Sequence, residues 1–259
     1  MNSASVAAEL ATLRARGRLD EARAVLGGAL REQPQDEALR RLAWQHAPVW
    51  WQPLAGPRAR LERRGPDDAA FVRRCWADGD FMARFNRLAA PLPAGDDALR
   101  ALLAGEQRAL IADSRAIHWT IHDAAGPAGF VSLVDISFSH RRAEFLIGVL
   151  PQASRWLAPE AAHLAIGFAA GPLKLERLSA HFYPQNVEAQ RIAQKFGFER
   201  EGLLRGYLRL PGSGERCDLV IAGLLLDDAY FARSARQRER LLGRDSHRDA
   251  ARDDGRDDA

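Results

Sequence analysis

The chain has 259 residues, 47% of them hydrophobic, and a formal net charge of +3. That composition supports a packed core, and the interleaving of basic with acidic residues excludes the concentrated basic footprint of a nucleic-acid-binding or membrane-surface protein. Cys75 and Cys217 are its two cysteines. Their spacing matches no metal site, so no metal is expected; a reduced, cytoplasmic setting is expected, although two cysteines permit one disulfide.

The opening stretch MNSASVAAELATLRARGRLDEA turns polar before an apolar segment of signal-peptide length forms. No run approaches the roughly 20 apolar residues of a membrane span. Residues 6–46 read as helices, with Leu10, Leu13, Leu19, Ala22, Leu26, Ala29 and Leu30 at helical spacing. Within them GRLDEARAVLGGALREQP (17–34) resembles the middle of a tetratricopeptide repeat: Gly17 breaks the chain, Ala22 and Ala29 allow close helix approach, and Pro34 stops the second helix. A lone repeat cannot bury its own apolar face, so residues 6–46 are expected to dock on the main domain, on a protein partner or on a second copy. A Pro- and Trp-rich linker follows over 47–56.

Residues 58–64 read as a short strand, and Pro66, Asp67 and Asp68 open a helix reaching about Asp80. The stretch 81–93 is irregular and carries Arg84, Asn86 and Arg87, side chains suited to an anionic or hydroxylated acceptor or simply to solvation. A helix from Asp96 reaches about Ala112. Strands are expected at 116–123, 130–138 and 144–150, a helix at 159–170, a strand at 175–183, a short helix to Phe196, and a hairpin of 206–210 with 217–226 across PGSG (211–214). From 232 the chain is an Arg/Asp-rich tail, expected to be disordered.

Asn186 suits the N-cap of the short helix, Glu188 its first turn, and Gly197 its left-handed end. The stretch YPQNVEAQRIAQKFGFEREGLLRGYLRLPGSGERCDLVIAGLLL (183–226) resembles the C-terminal half of the GNAT N-acetyltransferases, and more narrowly their Rim-type group, which acetylates ribosomal-protein N-termini and has small-molecule relatives. The elements that carry this are Asn186, the Lys195–Phe196–Gly197–Phe198 helix end, Glu201–Gly202, and a hairpin whose second strand opens with Asp218. The likeness extends back, less clearly, to about residue 57.

The resemblance implies an α/β domain over 57–231 with a mixed, splayed central sheet and helices on both faces; the small all-α hairpin segment expected over 1–46 lies outside it. It implies acetyl-coenzyme A as donor, with the pantetheine arm against the backbones of Ile147, Val149 and Leu150, and the pyrophosphate at the 159–170 helix start beside Ser154, Arg155 and Trp156. Glu160 fits the family's acidic residue, and Ser154 and Trp156 then occupy positions that are normally glycine. Glu144 is implied as the base, and Asn186 as a donor to the cofactor or the reacting centre. Ala193 stands where many relatives have a tyrosine acid. His181 reads as packing or surface, and Asp218 as structural.

The expected function is N-acyl transfer to a primary amine of a small molecule or a protein N-terminus. The alternatives are a non-catalytic binding module and an acyltransferase fed by an acyl carrier protein, both motivated by Trp156.

Overall fold

The computed structural model describes residues 2–86, 89–210 and 213–235. The described residues form two compact units, those up to Ile136 with Phe145–Pro172, and Ser137–Glu144 with the described residues from Leu173 on. Helices lie on both sides of an open, mixed sheet with strand order β1-β2-β3-β4-β5-β6-β8-β7.

In the first unit, α1 (Ser3–Ala15), α2 (Leu19–Glu32) and α3 (Glu37–Gln45) form the N-terminal helical segment. Asn2 caps α1 by accepting the Ser5 N–H at 2.8 Å, and Asp36 caps α3 by accepting from Ala38 and Leu39. Gly17 makes the α1–α2 turn at φ +73°. The three helices bury Val6, Leu10, Leu13, Ala22, Leu26, Ala29 and Leu39 against one another.

Aromatic side chains tie this segment to the remainder of the unit. Trp50, 2% exposed, meets Trp44 edge-on at 5.0 Å and Phe168 at 5.8 Å, and its indole N–H is given to the Trp44 carbonyl. The Arg63 guanidinium donates to the Trp50 carbonyl at 3.0 Å.

Strands β1 (Leu54–Ala55), β2 (Arg60–Arg63), β3 (Ile117–Asp123) and β4 (Gly126–Ser137) pair antiparallel in sequence, and β5 (Arg142–Val149) follows β4 in the sheet. Over them lie α4 (Ala69–Ala77), α5 (Gly79–Phe85) and α6 (Asp96–Arg108), which enclose a core of Phe71, Val72, Phe81, Leu99, Leu103, Phe130 and Leu150. The short α7 (Ile111–Ser114) leads into β3. Residues 81–85, expected to be irregular, belong to α5, because Asp78 caps it through the Phe81 N–H at 2.9 Å and Phe81 stacks on Phe85. Arg87 lies outside the described residues. Helix α8 (Leu157–Ala170) is apolar on most sides and buries Leu157, Ala161, Ala162, Ala165, Ile166, Phe168 and Ala169.

In the second unit, β6 (Arg177–Phe182), α9 (Val187–Lys195), β7 (Glu199–Arg209) and β8 (Arg216–Leu225) follow in order, with β8 antiparallel to both β6 and β7. Strand β7 begins seven positions earlier than the expected 206. Its residues are exposed or half-buried throughout, as befits the last strand of the sheet; half-buried Gly202, Leu204, Gly206 and Leu208 alternate with exposed Leu203 and Tyr207 among others, so apolar residue type does not mark the inward face. Its register breaks between Leu204 and Leu208, where Gly206 takes φ +56° and gives its N–H to Asp218 Oδ1 at 2.7 Å. Asp218 thus holds a bulge. Of the stretch expected to be a disordered tail, residues 232–235 are helical and 236–259 lie outside the described residues, as do Pro211 and Gly212 of the expected turn.

Candidate active site

Strands β5 and β6 run parallel through three residue pairs, Arg142 with Arg177, Ala143 with Leu178, and Glu144 with Ser179. Side chains alternate along each strand, so Glu144, Ser179 and His181 share one face while Leu178 and Ala180 are buried on the other. The result is a pair that the sequence reading did not select: His181 Nδ1 lies 3.0 Å from Glu144 Oε1, with the two side chains 31% and 24% exposed. Ser179 Oγ reaches the Ala143 carbonyl at 3.4 Å. Farther along the face, Arg177 is paired with Glu201. Gly223 runs beneath that pair, where a Cβ would come within 2.3 Å of Glu201 Oε1 and 2.6 Å of Arg177 Nη2. A lone strand histidine gives no sequence signal of a partner on another strand; only the register of the β5–β6 ladder brings His181 to Glu144.

Asn186 is the N-cap of α9. Its Oδ1 accepts the Ala189 N–H at 3.3 Å, its own N–H goes to the Tyr183 carbonyl at 2.9 Å, and the Gln190 amide spans the carbonyls of Tyr183, Pro184 and Asn186. The cap uses the oxygen of the amide; the hydrogens of that amide are on its nitrogen. Gly197, at φ +93°, ends the helix as its sequence position predicts.

The residues assigned to the donor other than Asn186 lie in the first unit. Ile147 and Val149 are half-buried and Leu150 is buried. Leu150 gives its N–H to the Ala128 carbonyl at 2.8 Å, and its own carbonyl accepts from Ala153 at 3.0 Å. Gly148 sits under Phe85 and Phe81, and Gly129 lets β4 approach the Gly148–Val149 backbone, where a Cβ would lie 2.4 Å from the Gly148 oxygen.

At the start of α8 the Leu157 N–H is given to the Ser154 carbonyl at 2.9 Å, and the Trp156 N–H faces Ser154 Oγ at 3.4 Å. Pro159 contributes no N–H. Trp156 is the residue before the helix and makes no side-chain cap, and the Arg155 guanidinium lies 5.0 Å over its ring. A diphosphate here would meet few backbone donors, so the groups that fit it are the exposed Ser154 hydroxyl and Arg155 guanidinium. Glu160 points to the β1–β2 turn, where Oε1 accepts from the Arg58 N–H at 2.8 Å and the Ala59 N–H at 3.0 Å.

A cleft of about 230 Å³ between β2, β3 and the start of α4, lined by Glu62, Asp67, Gln107 and His122 among others, contains none of these residues. Among the described residues no cluster of three or more His, Cys, Asp or Glu could hold a metal. No helix there is long and apolar enough to cross a membrane.

Residues 58–199 match the family model described as an acetyltransferase (GNAT) domain. The chain is 31% identical over 111 residues to the uncharacterized N-acetyltransferase YoaA of Bacillus subtilis, covering 40% of this chain and 61% of that protein. It is 41% identical over 78 residues to the spermidine N(1)-acetyltransferase of Escherichia coli K12, covering 30% and 42%. It thus spans 61% and 42% of the lengths of these two relatives.

Among solved structures, the spermidine N-acetyltransferase of Vibrio cholerae in complex with CoA and spermine superimposes with a TM-score of 0.55 at 22% identity, over 66% of this chain and 96% of that one. A GCN5-related N-acetyltransferase from Brucella melitensis does so with a TM-score of 0.55 at 20% identity, over 70% and 85%. These two likenesses are of fold. With the family match spanning more than half of its residues, the chain belongs to the GNAT acetyltransferase family.

Proposed function

We propose that the protein transfers an acetyl or other acyl group from acyl-coenzyme A to a primary amine, of a small molecule or a protein N-terminus, in the cytoplasm. The observation that carries this reading is the Glu144–His181 pair on the open face of β5 and β6, inside the segment that matches the acetyltransferase domain. An amine must lose a proton before it can attack a carbonyl, and a carboxylate–imidazole pair supplies a route for that proton. The relatives named for spermidine make small polyvalent amines the first acceptors to try.

The donor supplies the reactive thioester. In this proposal the β5 backbone at Ile147 and Val149, with Leu150 just beyond it, lies along its pantetheine arm, and Ser154 and Arg155, flanked by Trp156, hold its phosphates. Asn186 donates an amide N–H to the donor or to the oxyanion that develops at its carbonyl. The Rim-type motif of Asn186 with the Lys195–Phe198 helix end supports an amino-terminal acceptor. The tetratricopeptide-like helices of 1–46 are proposed to stabilise the main domain or to hold a protein partner.

Trp156 and Pro159 favour one other reading, in which the acyl group arrives on a carrier protein and no nucleotide diphosphate has to be bound. Calorimetric titration of the full chain with acetyl-coenzyme A, followed by an acetyl-transfer screen over polyamines, amino sugars and peptides with free N-termini, tests the proposal. Saturable binding with turnover on one class supports it. No binding, but turnover with an acyl carrier protein, supports the carrier reading; neither binding nor turnover with any donor refutes both.

A further inference from the structure

The contact between His181 and Glu144 fixes the chemistry of the ring. A carboxylate only accepts hydrogen bonds, so at 3.0 Å from Glu144 Oε1 the Nδ1 of His181 carries the hydrogen. In the neutral imidazole Nε2 then holds the lone pair. Glu144 has one oxygen engaged with the ring and is the less exposed of the two, at 24% against 31%.

The other groups on this face set the field at Nε2. Arg142 stands on β5 two residues before Glu144, and Ser179 and Arg177 precede His181 on β6. Across the ladder, β8 presents Ile221 opposite His181 and Gly223 opposite Ser179, neither of which carries a charge. From β7, Glu201 is paired with Arg177, so those two charges offset each other.

We infer that His181, rather than Glu144, accepts the proton of the acceptor ammonium, and that Glu144 is a positioning residue that fixes the ring's tautomer and stabilises the imidazolium. The inference rests on the acyl-transfer reading. An N–H bond of the ammonium breaks and an Nε2–H bond forms. That first proton passes from Nε2 to solvent; the freed amine pair makes the new C–N bond as the C–S bond of the thioester breaks, and the second proton shed by the attacking nitrogen passes through Nε2 to the departing thiolate. No oxidant or further reactant is needed.

The test is turnover against pH at saturating amine, where kcat reports groups in the bound complex. The wild-type chain is compared with His181→Gln, His181→Ala and Glu144→Gln, each checked for folding by circular dichroism. His181→Gln is expected to lose on the order of a hundredfold in kcat, together with the acid limb of the profile. Added imidazole should restore part of the turnover of His181→Ala, which a packing role for the ring would not allow. Glu144→Gln should be slower but keep the acid limb. A folded His181→Gln that keeps both rate and limb overturns the inference, as does a Glu144→Gln that abolishes the limb while His181→Gln retains it. A wild-type chain with no turnover on any amine brings down the acyl-transfer reading and this assignment with it, an outcome seen before any variant is compared.

Discussion

Glu160 gives a sharp test of what holds α8 in place. Its Oε1 is the shared acceptor for two backbone N–H groups of the β1–β2 turn, from Arg58 at 2.8 Å and Ala59 at 3.0 Å, and its Oε2 lies 3.8 Å from the Arg58 guanidinium. Ala59 is 1% exposed, so in Glu160→Ala its N–H has no water to turn to, and an unpaired buried donor costs about 1–3 kcal/mol. Arg58 is half-buried and its N–H can be rehydrated, which limits that loss to about 0.5–1 kcal/mol. The ion pair, long and partly solvated, adds no more than about 1 kcal/mol. The expected destabilisation is therefore about 2–4 kcal/mol, read as a shift of the urea midpoint by tryptophan fluorescence and circular dichroism with an unchanged slope. Glu160→Gln keeps an oxygen that can take both hydrogens and should cost about 1 kcal/mol through loss of the charge. A Glu160→Ala protein within about 0.5 kcal/mol of wild type, the ordinary spread of surface substitutions, would refute the reasoning, because it would mean that the two N–H groups find other acceptors.

Asn186→Asp keeps a capping oxygen for Ala189, so stability should change by no more than about 1 kcal/mol; the lost N–H donor and added charge should lower acetyl transfer on the order of a hundredfold, and a folded variant with normal turnover would leave Asn186 as a cap alone. Gly148→Ala should destabilise by about 1–3 kcal/mol in chemical unfolding, because its Cβ would lie 2.6 Å from Phe85 Cδ2 and 3.3 Å from Phe81 Cζ in a packed aromatic cluster. Burial, aided by the nearby Arg64 and Arg63 charges, lowers the His118 pKa to about 3. The unfolded chain then takes up a proton near pH 6.5 that the folded chain refuses until about 3, so stability should fall as pH drops through that window. The slope should be at most about 1.4 kcal/mol per unit, and His118→Gln should flatten it. Removing residues 1–46 uncovers Trp50 and should lower the melting temperature or the solubility; a soluble truncation with unchanged melting would show that the helices are independent of the main domain.

The sequence by itself determined the local structure. Asn186 and Gly197 bound α9 because a side-chain acceptor and a left-handed glycine act within a few residues of their own position. The apolar spacing of 6–46 required helices, and the order of elements through 183–226 carried the family resemblance. Glu144 was singled out through that resemblance, and Asp218 as a structural residue of the hairpin. The stretch at 81–85 and the first half of β7 depart from the sequence expectation for different reasons: a cap at Asp78 supplies a helix that apolar periodicity alone does not show, and in β7 the half-buried positions include Gly202 and Gly206 while Leu203 and Tyr207 are exposed, so residue type does not follow the strand's period of two.

What only the tertiary structure decided is which side chains meet. Alternation along β6 places His181 on a face, but it does not say which carboxylate stands opposite, because that depends on the register of a parallel ladder between strands separated by the whole of α8. The same holds for Glu160, whose acidic position reads as a family mark and whose partners are backbone N–H groups of a turn far earlier in the chain. Contacts of this kind are set by the hydrogen-bonded register and by the burial of the opposite face, neither of which is encoded in any short window of the sequence.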